Sequence, residues 1–123
     1  MAAPNIRNPT NIIGKTVGYA NVPTSLTSMI VAGNVPTGRV YKVNSIFAAN
    51  RNGTNSSTIS ITIFNGTTDV SYLAYTINVP ADATQIISTK ETYFYLEEGY
   101  NIRAQSGNAN HIDVTISYEE IWN

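Results

Sequence analysis

Over residues 58–64, "TISITIF" sets Ile59, Ile61 and Ile63 on one side of the chain and Thr58, Ser60 and Thr62 on the other. Alternation of period two marks a strand with one face in a core, because successive side chains of an extended backbone point to opposite faces. Asn65-Gly66 follows at once and tolerates the positive φ of a tight hairpin turn. Beyond it "VSYLAYTINV" resumes as the partner strand, with Leu73, Tyr75, Ile77 and Val79 expected on one face. The same period runs through "RVYKVNSIFAAN" and "HIDVTISYEEIW", where Ile112, Val114, Ile116 and Tyr118 alternate with Asp113, Thr115, Ser117 and Glu119. Shorter strand candidates are Ile12 to Tyr19, Leu26 to Val31, Thr84 to Thr89, Tyr93 to Leu96 and Tyr100 to Ala104, separated by the turn residues Gly, Pro and Asn. No window repeats apolar residues at i, i+3, i+4 and i+7 behind a capped start, so almost no helix is expected.

About eight or nine short strands, mostly antiparallel, predict an all-β fold of two packed sheets: an antiparallel β-sandwich, with the jelly-roll as one form of it. The sandwich domain is expected over residues 12–123. Residues 1–11 hold Pro4, Pro9 and three Asn, with only Ile6 to bury, and are expected to form an extended N-terminal arm. A segment of this kind either stays disordered or becomes ordered against a neighbouring subunit, with Ile6 and Arg7 as its contact candidates. Asn-Val-Pro occurs at 21–23, 34–36 and 78–80. Proline cannot donate to a ladder, so each copy marks the chain leaving or entering a sheet edge.

Composition narrows the function. The 123 residues suit one domain, and charged residues are only 12% of them, with a net charge of -1, against roughly 25% charged residues in an average domain. Thr, Asn and Ser solvate such a surface. It releases few counterions, which argues against nucleic acid as a partner, and it offers no polybasic run to an anionic membrane. No apolar stretch approaches the roughly 18–20 residues of a membrane span, and the opening "MAAPNIRNPTN" lacks the apolar core of a secretory signal, so a soluble, unexported chain is expected. There is no Cys, which excludes disulfides and Cys-based zinc sites.

The search for chemistry yields little. A nucleophilic triad needs an imidazole, and the single His111 stands at the head of the last strand, where a polar strand-end residue needs no special explanation. One His cannot supply the two or three imidazoles of a usual zinc site. Glu97-Glu98 and Glu119-Glu120 are adjacent pairs, and neighbours on a strand face opposite ways, so neither pair is a two-carboxylate site by itself. Glu97, Glu98 and Gly99 read as a turn, and Glu119 and Glu120 as charges that guard a strand against edge pairing. No catalytic, cofactor-binding or metal-binding residue is assigned, and no enzyme is expected. The cluster "YFYLEEGY" and the other aromatics offer area for contact: Tyr72, Tyr93, Tyr95, Tyr100 and Trp122 are, with Ile6 and Arg7, the candidate interface residues. Such rings fill sandwich cores and subunit interfaces, and exposed ones stack on sugars.

Residues 78–122 bring these elements into a telling order: Val79-Pro80-Ala81, a short strand ending "IIST", an aromatic stretch with Leu96, then "EEGYNIRAQS" and the closing strand "HIDVTISYEEIW". The order resembles small β-sandwich virion structural proteins of tailed bacteriophages, and the likeness extends less distinctly back to residue 22. Tyr100 stands where such patterns often have Asp. The resemblance implies a capsid decoration or cement protein that stabilises the particle by protein–protein contacts. Its partners would be copies of itself, often as a trimer, and other virion proteins such as the major capsid protein, within a virion assembled in the host cytoplasm. A tail, neck or fibre component is the neighbouring alternative, and a glycan-binding module of a receptor-binding fibre is the alternative of a different class.

Overall fold

The computed structural model describes residues 4–123, so the first three residues of the expected arm lie outside the described residues. Nine strands follow in chain order: β1 (Asn11–Tyr19), β2 (Thr27–Ser28), β3 (Arg39–Asn50), β4 (Ser57–Phe64), β5 (Asp69–Val79), β6 (Thr84–Ser88), β7 (Phe94–Leu96), β8 (Asn101–Ser106) and β9 (Ile112–Trp122), with one short 3-10 turn at Lys90–Thr92. One sheet runs β1-β9-β3-β6, with β7 also on β3, and the other runs β2-β8-β4-β5. Every pairing is antiparallel. The five-stranded and four-stranded sheets, with the chain crossing repeatedly between them, make a β-sandwich whose strand order, β7 set aside, is that of a jelly-roll.

The core lies between the facing sides of the sheets. Val43, Ile46, Ala48, Ile112, Val114 and Ile116 from one sheet meet Ile59, Ile61, Ile102 and Ala104 from the other, all essentially sealed from solvent. Loop residues close the ends, with Val22, Met29, Ile30 and Val35 buried in the same cluster. The Asn-Val-Pro repeats thereby gain a physical meaning, because Val22, Val35 and Val79 are each buried at 3% exposure or less. Val79 ends β5 with Pro80 directly after it, where proline cannot continue the ladder, while Val22 and Val35 plug the core from the β1–β2 and β2–β3 loops. Val22 N donates to Ile112 O (2.8 Å) and Val35 N to Tyr100 O (2.9 Å), fixing both loop valines in place.

The chain reverses between β4 and β5 at Asn65-Gly66, but through a four-residue loop, 65–68, rather than the tight turn expected: of the pair only Gly66 has a positive φ, at 97°. The Asn65 carboxamide oxygen accepts from the Thr67 and Thr68 amides (2.9 and 2.8 Å), an Asx-type turn. A Cβ at Gly66 would stand 2.9 Å from the Gly99 carbonyl oxygen of the Glu97–Gly99 turn. Gly66→Ala therefore meets both a left-handed backbone and fixed main chain. It is expected to cost about 1–3 kcal/mol, read as a lower urea midpoint at unchanged slope.

Strand β5 departs from the simple alternation. Its register against β4 runs Ile59↔Ile77, Ile61↔Ala74, Thr62↔Tyr72, Ile63↔Ser71 and Phe64↔Asp69, with three register shifts. Tyr75 and Thr76 together oppose Ser60, while Leu73 and Val70 are each inserted between paired positions. Such bulges shift the side-chain phase, so Ala74, Ile77 and Val79 share the inward register and Tyr75 leaves it. The expected common face of Leu73, Tyr75, Ile77 and Val79 is thus not formed.

Candidate interaction surface

An antiparallel sheet that does not close into a barrel exposes backbone donors and acceptors along its edges. Among the described residues, the edges here are β1 opposite β6 and β7 on one sheet, and β2 opposite β5 on the other. Three of them are poor templates. Strand β2 has two residues, β6 and β7 are short pieces sharing one flank of β3, and β5 carries the bulges described above. Strand β1 is different, with nine residues in unbroken register with β9 from Asn11↔Trp122 to Tyr19↔Val114. It has no proline and a single charge, and a Cβ added at Gly14 or Gly18 would meet nothing within 4 Å. Ile12 and Ile13 are 57% and 46% exposed, so both faces of this edge present apolar area.

That single charge is turned away from guard duty. Lys15 Nζ lies 2.7 Å from Glu120 Oε1, and Arg39 Nη1 lies 2.6 Å from Glu120 Oε2. The ion pairs bind β1, β9 and β3 together at one end of the sheet. Glu120 is 3% exposed, although β9 is a central strand; the reading of Glu119 and Glu120 as edge guards is therefore corrected. Strand pairing order, which no local pattern encodes, put this carboxylate on the inward side. The Arg39 guanidinium also sits 4.1 Å from the Trp122 ring centroid. Burial works to raise the Glu120 pKa, but the hydrogen bonds from Lys15 and Arg39 outweigh it and hold the carboxyl below its usual range. The hydrogen bond to Glu120 raises Lys15. Burial, then the Glu120 charge, pushes the Tyr41 hydroxyl up to about 12, with its ring stacked 4.7 Å from that of Tyr118.

The candidate interface residues fall into separate places. Ile6 and Arg7 are exposed on the segment before β1, whose Pro4 is buried, and Thr10 N donates to Asn123 Oδ1 (3.3 Å). Tyr72 lies on β5 and packs edge-on against Tyr75, centroids 4.8 Å apart. Tyr93 and Tyr95 flank Phe94 beside β3, their centroids 5.8 Å apart, with Lys42 Nζ 4.4 Å from the Tyr93 ring centroid. Tyr100 is half-buried against the core, and Trp122 is half-buried with the Arg39 guanidinium over its ring. Sequence reasoning missed Tyr75, the most exposed tyrosine ring at 65%, and the β1 pair Ile12 and Ile13. Two adjacent isoleucines on one strand cannot both face a core, and that was the available signal. Leu73, Ile77 and Ile86 add a second apolar seam where β5 and β6 meet.

His111 meets an amide rather than an acid: its Nε2 is 3.3 Å from Asn52 Nδ2. Nearby, Arg51 pairs with Asp113 (2.9 Å) and donates to Asn21 Oδ1. Among the described residues no group of three His, Cys, Asp or Glu side chains is placed to hold a metal ion. Nor is any helix long and apolar enough to cross a membrane.

No protein-family model matches this chain, and no curated protein sequence matches it. Solved structures do share the fold. One comes from the disulfide-linked pili that form Bacillus endospore appendages: it is 13% identical, the match covers 91% of this chain and 88% of that one, and the TM-score is 0.50. Likeness at that identity concerns the fold alone. The infectious bursal disease virus VP2 subviral particle matches at 10% identity and a TM-score of 0.36, covering 94% of this chain but 34% of that one, so the chain spans about a third of its length. A score that low carries no argument.

Proposed function

We propose that this chain is a non-catalytic structural subunit that assembles with copies of itself into a particle or appendage. The observation that carries the reading is the long, unbulged and nearly uncharged outer edge of β1, flanked by exposed Ile12 and Ile13. Such an edge is a template for strand addition, in which main-chain hydrogen bonds supply affinity and flanking side chains supply register. The partner we assign is the same edge of a second copy, a self-complementary contact that continues one sheet into the next. The shared fold with a pilus protein supports an assembly role. With no Cys in the sequence, cohesion between copies of this chain rests on non-covalent contacts rather than on disulfides.

Within that class we place the chain in a tailed-phage virion, as a capsid decoration or cement protein. The support is the ordered run from Val79 to Ile121 and a surface with few charges, which lowers the desolvation cost of wide contacts. A tail, neck or fibre position rests on the same grounds and is separated from decoration by locating the chain in a map of the assembled particle.

Sedimentation over a concentration series tests the self-contact. The wild-type chain is expected to associate, and Ile12→Lys with Ile13→Lys to weaken association roughly a hundredfold, since it sets like charges along both strands of the pair. Both proteins should keep the same far-ultraviolet signal of a folded sandwich. A wild-type chain that stays monomeric at high concentration and does not bind particles lacking it removes the proposal.

A further inference from the structure

The outer face of the β2-β8-β4-β5 sheet carries a groove away from the β1 edge. Its floor is Thr58 and Ser60 of β4 with Gln105 of β8, its end is Gly107, and its wall is the tyrosine pair Tyr72 and Tyr75 of β5. The cavity volume is about 230 Å³, and no charged residue lines it. The tyrosines are 45% and 65% exposed, with rings at 70° to each other, so they present two differently oriented aromatic surfaces beside the same polar floor.

The wall is built by strained backbone. Thr76, a β-branched residue, has φ 47°, a region such side chains rarely enter. It sits in the bulge where Tyr75 and Thr76 face Ser60, and its amide donates to Ser60 Oγ (2.9 Å). Bulges of this kind re-aim side chains, and local strain persists where the surrounding structure over-determines it. Here the result is that Tyr75 leaves the inward phase of its strand and stands over the floor. Gly107 completes the end: its amide donates to Thr58 O (2.8 Å), and a Cβ there would collide with the Thr58 hydroxyl.

We infer that this groove binds a neutral saccharide, with an apolar sugar face against Tyr75, its rim beside Tyr72, and its hydroxyls on Thr58 and Gln105. The chemistry fits part by part. A sugar ring combines an apolar face with a girdle of hydroxyls, which calls for one flat aromatic surface and several neutral groups able to donate and accept. Gln105 Nε2 donates to Thr24 O (2.9 Å), which leaves its Oε1 as an acceptor. Absence of charge in the lining disfavours phosphate and carboxylate ligands. Arg103, the cation of this face, is engaged by Asp69 (3.2 Å) and the Leu26 carbonyl (3.0 Å). Serine, threonine and glutamine on the floor also distinguish the groove from the aliphatic seam of Leu73, Ile77 and Ile86. The inference stands apart from the self-assembly reading, because the β1 edge belongs to the other sheet.

The test is amide-resolved NMR of the whole isotope-labelled chain titrated with cellopentaose, maltopentaose, mannopentaose, galactopentaose and penta-N-acetylchitopentaose to tens of millimolar. At least one is expected to shift the amides of Thr58, Tyr75, Thr76, Gln105 and Gly107 while leaving Tyr93 and Tyr95 in place. Tyr75→Ala should weaken that binding about tenfold, the order of one aromatic contact, and Tyr93→Ala should leave it unchanged. Silence of the groove amides towards all five sugars overturns the inference. So does a response that follows protein concentration instead of sugar, which would assign the tyrosines to a contact between copies.

Discussion

Replacing Lys15 and Arg39 together by Met is expected to cost about 3 kcal/mol at pH 7 and to reverse the protein's response to acid. Glu120 is 3% exposed and takes its two ionic partners from β1 and β3. Stripping partners from a buried charge typically costs about 3–5 kcal/mol, because the ion stays desolvated. The lower end applies here, since the carboxyl can take up a proton. Lys15 alone, 45% exposed, should contribute well under ~1 kcal/mol. In the wild type the Glu120 pKa is lowered on folding, so its stabilisation is present above the unfolded value of about 4.3 and lost as pH falls through the folded one. In the double variant only burial remains, and burial raises the pKa. The neutral carboxyl is then favoured in the fold, and stability should rise as pH falls from 7 towards 4. Urea unfolding at pH 4, 5.5 and 7 reads both slopes, and parallel slopes for the two proteins would refute the account of this ion-pair cluster.

A comparable loss is expected from Ile61→Ala in the other sheet. Ile61 is fully buried, and its lateral neighbours in register are Ala74 on β5 and Ala104 on β8. A large residue between two small ones fills space that neither neighbour can reach, so its truncation leaves three alanines in a row and little scope for collapse. The cost should approach about 4 kcal/mol, near the upper part of the large-to-small range, with Ile61→Val near 1. Thermal unfolding should fall by more than roughly 10 °C for the alanine variant. A cost below that of Ile61→Val would mean that the sheets close over the gap.

The contrast between β4 and β5 shows what the sequence encodes locally. The period-two run of "TISITIF" and the extent of Arg39–Asn50 are legible as strands, with Ile59 and Ile61 in the core, but on β4 the opposite face is covered too, since Ser60 and Thr62 are also buried. The place of the reversal at Asn65-Gly66 is legible because glycine takes the positive φ and the Asn65 side chain accepts from the amides that follow; the length of the loop, which runs to Thr68, is not. Strand β5 is not, since a bulge adds a residue without any compositional mark, and the three in β5 scramble its apparent faces. Glu120 misleads for another reason. Its neighbours Lys15 and Arg39 are distant in sequence, and only the β1-β9-β3 order brings them together. The candidate residues divide the same way in exposure: Tyr72, Tyr93 and Tyr95 are exposed, Tyr100 and Trp122 are partly enclosed, and Tyr75 acquires its position only through the bulge.

The irregularity of β5 also limits how far sheet extension can go. A subunit with one smooth flank and three broken ones has a valence of one for strand addition: once two copies have joined flank to flank, neither keeps a second flank able to propagate the ladder. Under the β1 contact proposed above, any larger assemblies would be tiled from pre-formed pairs. Dilution should dissolve them in two stages, first the side-chain contacts between pairs and only later the shared sheet within each.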